Sequence, residues 1–205
     1  MKNNFELVTN GKKKNLRRKD GSLLFDKWYK QIIIADDHIL VRKQNGWCNL
    51  ADSNGKFISN HWLIEVCPIR DGIIAVVDVN EYCNFVKSGK LLLEKWCYDF
   101  DTVWSEGCTS VKFEENGLWY FVKDNGMLLF EKGFPEVWNF SCGWAGVQVE
   151  NGLFNYINHD GKYMFDKPLF QITPFLGGNK KANVMFEKGG EWCWIDITGK
   201  IMPIS

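Results

Sequence analysis

Short runs of alternating apolar and polar residues recur along the whole chain, each cut off by a small polar residue and a glycine. The turn reads Asp20-Gly21, Asn54-Gly55, Ser88-Gly89, Asn125-Gly126, Asp160-Gly161 and Thr198-Gly199. Subtracting positions, successive glycines lie 34, 34, 37, 35 and 38 residues apart. Alternation with a period of two predicts strands. A period of this length, with glycine turns between apolar strands, marks a β-repeat protein in which no unit buries its apolar face alone.

The fourth unit shows the pattern best. Residues 110–114 alternate and form the first strand, Asn116-Gly117 is a hairpin turn whose residues tolerate positive φ, and residues 118–123 form the second strand. Asp124-Asn125-Gly126 turns again, and residues 127–130 form the third strand. The fifth unit repeats this with 147–150, Asn151-Gly152, 153–157 and 162–165. The third unit is shorter by one residue at its second turn. The chain therefore predicts an all-β fold of six three-stranded antiparallel meanders in one domain over 1–205. The units run over about 5–38, 39–72, 73–107, 108–143, 144–178 and 179–205.

Aligned on the second strand, one column holds Lys14, Cys48, Cys83, Trp119, Phe154 and Trp192. Two residues on come Leu16, Leu50, Phe85, Phe121, Tyr156 and Trp194, on the same face. The opposite face carries Arg17, Ala51, Val86, Val122, Ile157 and Ile195. Both faces are apolar in the middle units, which predicts stacking of units. In the connectors, Trp28, Trp62 and Trp96 lie seven residues after the turn glycine, with Phe134 and Leu169 at eight. Ile69, Trp104, Phe140 and Phe175 lie three residues before Gly72, Gly107, Gly143 and Gly178. Rings at the repeat period are expected to plug gaps between units, with Trp28, Trp62, Trp96, Trp104, Trp119 and Trp192 mostly buried. The other reading is a stacking surface for sugars or bases.

The first unit differs. It places Lys14 and Arg17 where the others place apolar residues. A polar outer face is what a terminal unit needs, so the units are expected to stack as an open curved array. A closed six-bladed propeller-like ring is the alternative, although propeller blades usually have four strands and about 40 residues or more.

The segment Trp104-Ser105-Glu106-Gly107-Cys108-Thr109-Ser110-Val111 resembles the F-S-E-G-L-A-x-V segment of bacterial WG-repeat proteins. Phe140-Ser141-Cys142-Gly143-Trp144-Ala145-Gly146-Val147 is similar to it as well. Gly190-Glu191-Trp192-Cys193-Trp194-Ile195-Asp196-Ile197-Thr198-Gly199-Lys200 resembles that family's W-G-Y-I-D-x-x-G-K segment. The glycine of the W-G pair is replaced by Asn15, Asn49, Asn84, Tyr120, Asn155 or Cys193. The resemblance implies an all-β repeat array and carries no catalytic residue across.

Composition narrows the function classes. Hydrophobic residues make up 45% of the 205, enough to exclude disorder as the main state. Equal numbers of basic and acidic residues, 25 of each, exclude whole-surface binding to nucleic acid or an anionic membrane. The charge is uneven, however. Lys12, Lys13, Lys14, Arg17, Arg18 and Lys19 form a basic cluster that reads as a dock for a phosphate group or an acidic partner, or as a solvated cap that blocks edge pairing. Seven cysteines without a C-x-x-C pair point away from zinc and towards a reducing compartment. The first residues lack a signal peptide's apolar stretch, and no run is long enough to cross a membrane as a helix. The expected location is cytoplasmic, or virion if the protein is phage-encoded.

Candidate chemistry is sparse. His38, His61 and His159 show no recurring cysteine or carboxylate beside them and read as structural or surface histidines. Asp36-Asp37, Glu114-Glu115 and Asp99 with Asp101 read as solvated charge. The turns around Asp20, Asp124 and Asp160 are too short to give calcium its oxygens. No nucleotide-binding or nucleophile-elbow motif is present. No enzyme, metal or cofactor is expected. The reading is a non-catalytic protein-binding scaffold of bacterial or phage origin, with Lys12, Lys13, Lys14, Arg17, Arg18 and Lys19 as its partner-binding residues. The alternatives are a structural component of a larger assembly such as a phage particle, and a carbohydrate- or nucleic-acid-binding module. The expected partner is another protein, with no membrane insertion.

Overall fold

The structure, a computed structural model, describes residues 4–35, 37–150 and 152–202. Among them there is no α-helix, and every strand pairing is antiparallel. The chain divides into two compact units, Met1–Trp96 and Cys97–Ser205, so the division falls inside the third repeat.

In the first unit, β1 (Glu6–Asn10) and β2 (Lys13–Arg17) form a hairpin. β3 (Gln31–Ile34), β4 (Ile39–Arg42), β5 (Cys48–Ala51), β6 (Leu63–Arg70), β7 (Ile73–Asp78), β8 (Cys83–Lys87) and β9 (Lys90–Leu91) follow one another in a seven-stranded sheet. One residue pair, Cys48 opposite Leu63, joins β5 to β6. In the second unit, β10 (Asp99–Phe100), β11 (Cys108–Lys112) and β12 (Trp119–Lys123) make one sheet. β13 (Trp144–Glu150) and β14 (Leu153–Asn158) make a second, and β15 (Gln171–Ile172), β16 (Lys181–Met185) and β17 (Cys193–Asp196) a third.

The six-fold alignment has a direct counterpart in backbone pairing. Arg17 bridges Leu23, Ala51 bridges Phe57, Val122 bridges Leu128, Ile157 bridges Tyr163 and Ile195 bridges Ile201. Val86 opposite Leu91 is the same pairing in the third repeat, one residue tighter. One step along, the amide of Leu24, Ile58, Leu92, Leu129, Met164 or Met202 donates to the carbonyl of Leu16, Leu50, Phe85, Phe121, Tyr156 or Trp194 at 2.7–3.0 Å. The expected third strands are thus short arms. Their turns are shaped by side-chain acceptors as well as by glycine. Oδ1 of Asp52, Asn158 or Asp196 accepts the amides two and four residues on.

A further contact recurs that the alignment did not predict. Lys14 bridges Tyr29, Cys48 pairs with Leu63, Trp119 bridges Phe134 and Phe154 bridges Leu169. These partners lie eight residues after the turn glycine. With Cys97 at the same offset, all five are at most 4% exposed. Trp28, Trp62 and Trp96 lie one position earlier and are half-buried, not buried. Neighbouring residues on an extended chain face opposite sides, so a one-residue offset takes the tryptophans out of the buried column. Trp119 is also half-buried and Trp192 is 43% exposed, whereas Trp104 is 4% exposed as expected.

The tight turns also sit elsewhere than expected. Neither Asn116 nor Gly117 has positive φ, so that pair is no two-residue hairpin turn. Consecutive positive φ values occur instead at Asp71-Gly72, Glu106-Gly107, Cys142-Gly143 and, in the shortened third repeat, Ser88-Gly89. These are the geometry of a two-residue turn that matches strand twist. Accordingly β11 begins at Cys108, directly after Gly107, two residues before the expected strand start.

Each unit carries its own cores. In the first, Leu16, Phe25, Tyr29, Ile39 and Val41 form one cluster and Leu50, Leu63, Val76 and Val86 another. In the second, Phe121, Phe134, Phe140 and Val147 form one and Tyr156, Phe175, Val184 and Ile195 another. The first two repeats touch through a turn. A Cβ on Gly55 would stand 2.8 Å from the Leu24 carbonyl, so the second repeat's turn rests on the first repeat's third arm.

Candidate functional site

The basic cluster lies on the β1–β2 hairpin and the turn that follows it, and the backbone divides it. β2 leaves its ends, Lys13 and Arg17, exposed, half-buries Lys14 and buries Asn15 and Leu16. Lys12, at the tip beside Gly11, and Lys19 are exposed. Arg17 meets Glu6 at 3.3 Å, with the two side chains 47% and 67% exposed. A pair so open to water contributes at most about 1 kcal/mol.

Arg18 does different work. Its guanidinium donates to the Leu23 carbonyl at 2.7 Å, to Ser22 Oγ at 3.3 Å and to the Asn54 carbonyl at 3.1 Å. It ties the first repeat's turn to the second repeat's turn. The six cations are therefore not one equivalent surface, because Arg18 is spent on carbonyls and Lys14 is half-covered by its own strand. Lys12, Lys13 and Lys19 hold no ion pair among the described residues. Arg17, Arg18 and Lys19 border a groove of about 340 Å³ with Phe5, Glu6 and Gly21.

The histidines are less isolated than the sequence suggests. His38 Nδ1 lies 2.6 Å from Asp37, His61 Nδ1 lies 2.7 Å from Asp78, and His159 Nε2 lies 3.0 Å from Glu106. The partners of His61 and His159 are distant in sequence, 17 and 53 residues away, so spacing could not reveal them. Asp78 is fully buried and also accepts the Asn80 and Tyr82 amides. His159 stacks on Phe140 at 3.9 Å, and Glu106 also receives the Gly143 amide. All three sets hold turns together. Among the described residues no group of three His, Cys, Asp or Glu is placed to hold a metal.

Asp99 and Asp101 share a groove of about 280 Å³, but both are engaged by the backbone. Asp99 accepts the Phe100 amide, and Asp101 accepts the Val103 amide and the Asn139 side chain. Glu114 and Glu115 are exposed, and Asp36 lies outside the described residues. Cys48, Cys67, Cys108, Cys142 and Cys193 are free thiols. Burial pushes the Cys108 thiol up to about 12, so it stays protonated and unreactive.

The sequence missed the asparagine column. Asn15, Asn49, Asn84 and Asn155 stand where the family segment has glycine, and each is at most 3% exposed. Oδ1 accepts the next residue's amide at 2.7–2.8 Å in all four. Nδ2 donates to a carbonyl nine or ten residues on: Phe25, Ser59, Leu93 or Phe165. Each asparagine staples the connector to the second strand.

No described protein family matches the chain, and no curated protein matches it. Among solved structures it is similar to the computationally designed Ika8 protein, with TM-score 0.41, 10% identity, and coverage of 95% of this chain and 71% of that one. BamB from Moraxella catarrhalis gives TM-score 0.38 and 10% identity over 98% and 70% of the two chains. Hsv2p from Kluyveromyces lactis gives 0.38 and 10% over 94% and 71%. No feature of the site rests on these likenesses.

Proposed function

We propose that the protein is a non-catalytic protein-binding scaffold of six stacked three-stranded meanders, and that its basic first hairpin docks an acidic partner. The observation that carries this reading is the exposure of Lys12, Lys13, Arg17 and Lys19 on the first hairpin and the turn that follows it, three of them without an ion pair among the described residues. Exposed cations without ion pairs attract an acidic partner. The first repeat also departs from the others at one core column. Arg17 is exposed, where Ala51, Val86, Val122, Ile157 and Ile195 are at most 3% exposed. That fits a polar end unit. Kinship with WG-repeat proteins and a cytoplasmic location belong to the same reading.

The test is calorimetric titration of the full chain with a poly-glutamate peptide at low and physiological salt. Wild type binds at low salt and loses affinity as salt screens the charges. The triple variant Lys12→Glu, Lys13→Glu, Lys19→Glu stays folded and binds at least about tenfold more weakly. Equal binding by wild type and variant ends this reading.

A further inference from the structure

Within the first unit, a cleft of about 390 Å³ opens between the first and second repeats. Its walls include Phe25, Tyr29, Phe57 and Trp62 on the apolar side and Asp26 and Lys27 on the polar side. The rings form one connected set. Phe25 and Phe57 lie parallel within 9° at 6.0 Å, Phe57 meets Trp62 at 5.6 Å, and Tyr29 meets Trp62 at 6.4 Å. Lys43 sits over Trp62 with Nζ 3.5 Å from the ring centre.

Polar groups at this cleft lack a hydrogen-bond or ion-pair partner among the described residues. Tyr29 is 4% exposed, yet its hydroxyl makes no hydrogen bond among the described residues. Its oxygen is not fully sealed from solvent, and Tyr29 lines the cleft. A buried phenol ordinarily finds a partner. Burial, and after it the Asp26 carboxylate, pushes its pKa up, so it remains a donor at neutral pH. On the other side, Lys27 lines the cleft and Lys43 stands over Trp62, one of its wall residues. Burial and then Lys27 push the Lys43 ammonium down from its ordinary value, and neither lysine has a carboxylate partner among the described residues.

The cleft thus offers aromatic surface, one unused phenol donor, one carboxylate acceptor and the Lys27 ammonium on its wall, with the Lys43 ammonium beside it over Trp62. A purely apolar ligand would strand the polar groups, and a simple anion would leave the rings unused. A sugar ring has an apolar C–H face for the aromatic wall and hydroxyls for Asp26 and Tyr29. A carboxylate on it would meet the lysines. We infer that this cleft binds an acidic saccharide, a uronic-acid-bearing sugar, through Trp62, Phe57, Tyr29, Asp26, Lys27 and Lys43. This inference is independent of the docking role of the hairpin.

Calorimetry of the full chain with trigalacturonate tests it, with maltotriose as the neutral counterpart and acetate as the bare anion. Trigalacturonate is expected to bind, and maltotriose and acetate to bind at least about tenfold more weakly, the effect of one charge-assisted hydrogen bond or more. Lys27→Gln with Lys43→Gln should weaken trigalacturonate by a similar factor. Tyr29→Phe, which keeps the ring and the fold, should weaken it several-fold. The hairpin variant Lys12→Glu, Lys13→Glu, Lys19→Glu should bind trigalacturonate as wild type does, so that failure here and failure of the docking role are told apart. No heat with trigalacturonate, equal affinity for maltotriose or acetate, or loss of binding in the hairpin variant alone would each overturn the assignment.

Discussion

Tyr120 and Gly133 share one space. A Cβ on Gly133 would fall 2.7 Å from Tyr120 Cζ and 2.7 Å from Leu118 Cβ. Tyr120 occupies the column that asparagine holds in four other repeats, so the fourth repeat fills with a ring what the others fill with a staple. Gly133 is the residue that makes room. Its φ is not positive, so packing and not backbone conformation demands glycine there. Gly133→Ala is expected to destabilise by about 1–3 kcal/mol, as overpacking does. Adding Tyr120→Ala should relieve part of that clash, giving a non-additive double-mutant cycle with a coupling above about 0.5 kcal/mol. Urea unfolding of the four proteins measures it, and strict additivity would contradict the shared space.

The asparagine staple makes a prediction that pH can resolve. Asn49 Nδ2 donates to the Ser59 and His61 carbonyls, and Oδ1 accepts the Leu50 amide. Asn49→Ala strands these groups in the interior and should destabilise by about 2–4 kcal/mol, since each buried unmet group costs about 1–3. Asn49→Asp is more informative. A buried aspartate facing two carbonyls has its folded pKa raised above the unfolded value, so its charged form is disfavoured in the fold. Its penalty is therefore small below the unfolded pKa of about 3.9 and grows as pH rises through the higher folded value. Denaturant midpoints from pH 3 to pH 7 should separate increasingly between wild type and variant. A constant gap would mean the side chain does not face those carbonyls.

Much of this fold was legible because turns are local. The six small-residue-glycine turns recur in the sequence, and each returns in the structure as one bridge and one amide bond to the same column. The asparagines were visible only as departures from glycine. Their partners lie nine to twelve residues away in connectors without alternation, so no pattern announces the bond. The two-residue turns were misplaced for a related reason. Asn116-Gly117 has the favoured composition, whereas Glu106-Gly107 and Cys142-Gly143 have the geometry. Strand twist imposes positive φ on residues that composition alone would not choose. The tryptophans failed by one position, since a ladder read at seven residues after the glycine is buried at eight. Of the basic cluster, composition showed the charge but could not show that Arg18 reaches across to Asn54.

That reach separates Arg18 from its neighbours. Arg18→Ala removes hydrogen bonds to Leu23, Ser22 and Asn54 and should destabilise by about 1–3 kcal/mol. Lys13→Ala, on an exposed position without an ion pair among the described residues, should stay within about 0.5 kcal/mol of wild type. Thermal unfolding of the two single variants is the check. Equal effects would show that Arg18 is ordinary surface charge.

Two turn aspartates set a contribution to acid stability. Hydrogen bonds from the Ser22 side chain and amide lower the Asp20 pKa, and those from the Thr198 side chain and amide lower that of Asp196. A folded pKa below the unfolded one gives stability that is present above the ordinary carboxylate value and lost as pH falls through the lowered one. Both groups are solvent-exposed, so the effect is a slope and not a large energy. The double variant Asp20→Asn, Asp196→Asn keeps the Oδ1 acceptor and removes the titration. Its stability should fall less steeply than wild type as pH drops below 3.8. Parallel curves would place the acid sensitivity elsewhere.

β6 carries an edge that the sequence guards. After Leu63 it pairs only with β7 among the described residues, so the side of residues 64–70 away from β7 faces no strand of that sheet. Ile64 is 44% exposed there, and Cys67 is exposed as well. An open edge of seven residues, 64–70, is a template for pairing with another chain. Three devices oppose this. Pro68 withdraws an amide donor, Glu65 and Arg70 place charge along the strand, and the register shifts at 63/65 and 68/70. Replacing Pro68 and Glu65 by valine restores a donor, removes a charge and raises strand propensity. The double variant should keep its fold, because both positions are exposed, and should self-associate with rising concentration in sedimentation velocity. The cap reading of the basic hairpin gives the contrasting control, since Lys12→Gln with Lys13→Gln removes charge from the tip of that hairpin and leaves the β6 edge unchanged. If the Pro68 and Glu65 variant stays as monodisperse as wild type at every concentration, the β6 edge is closed by something other than these residues.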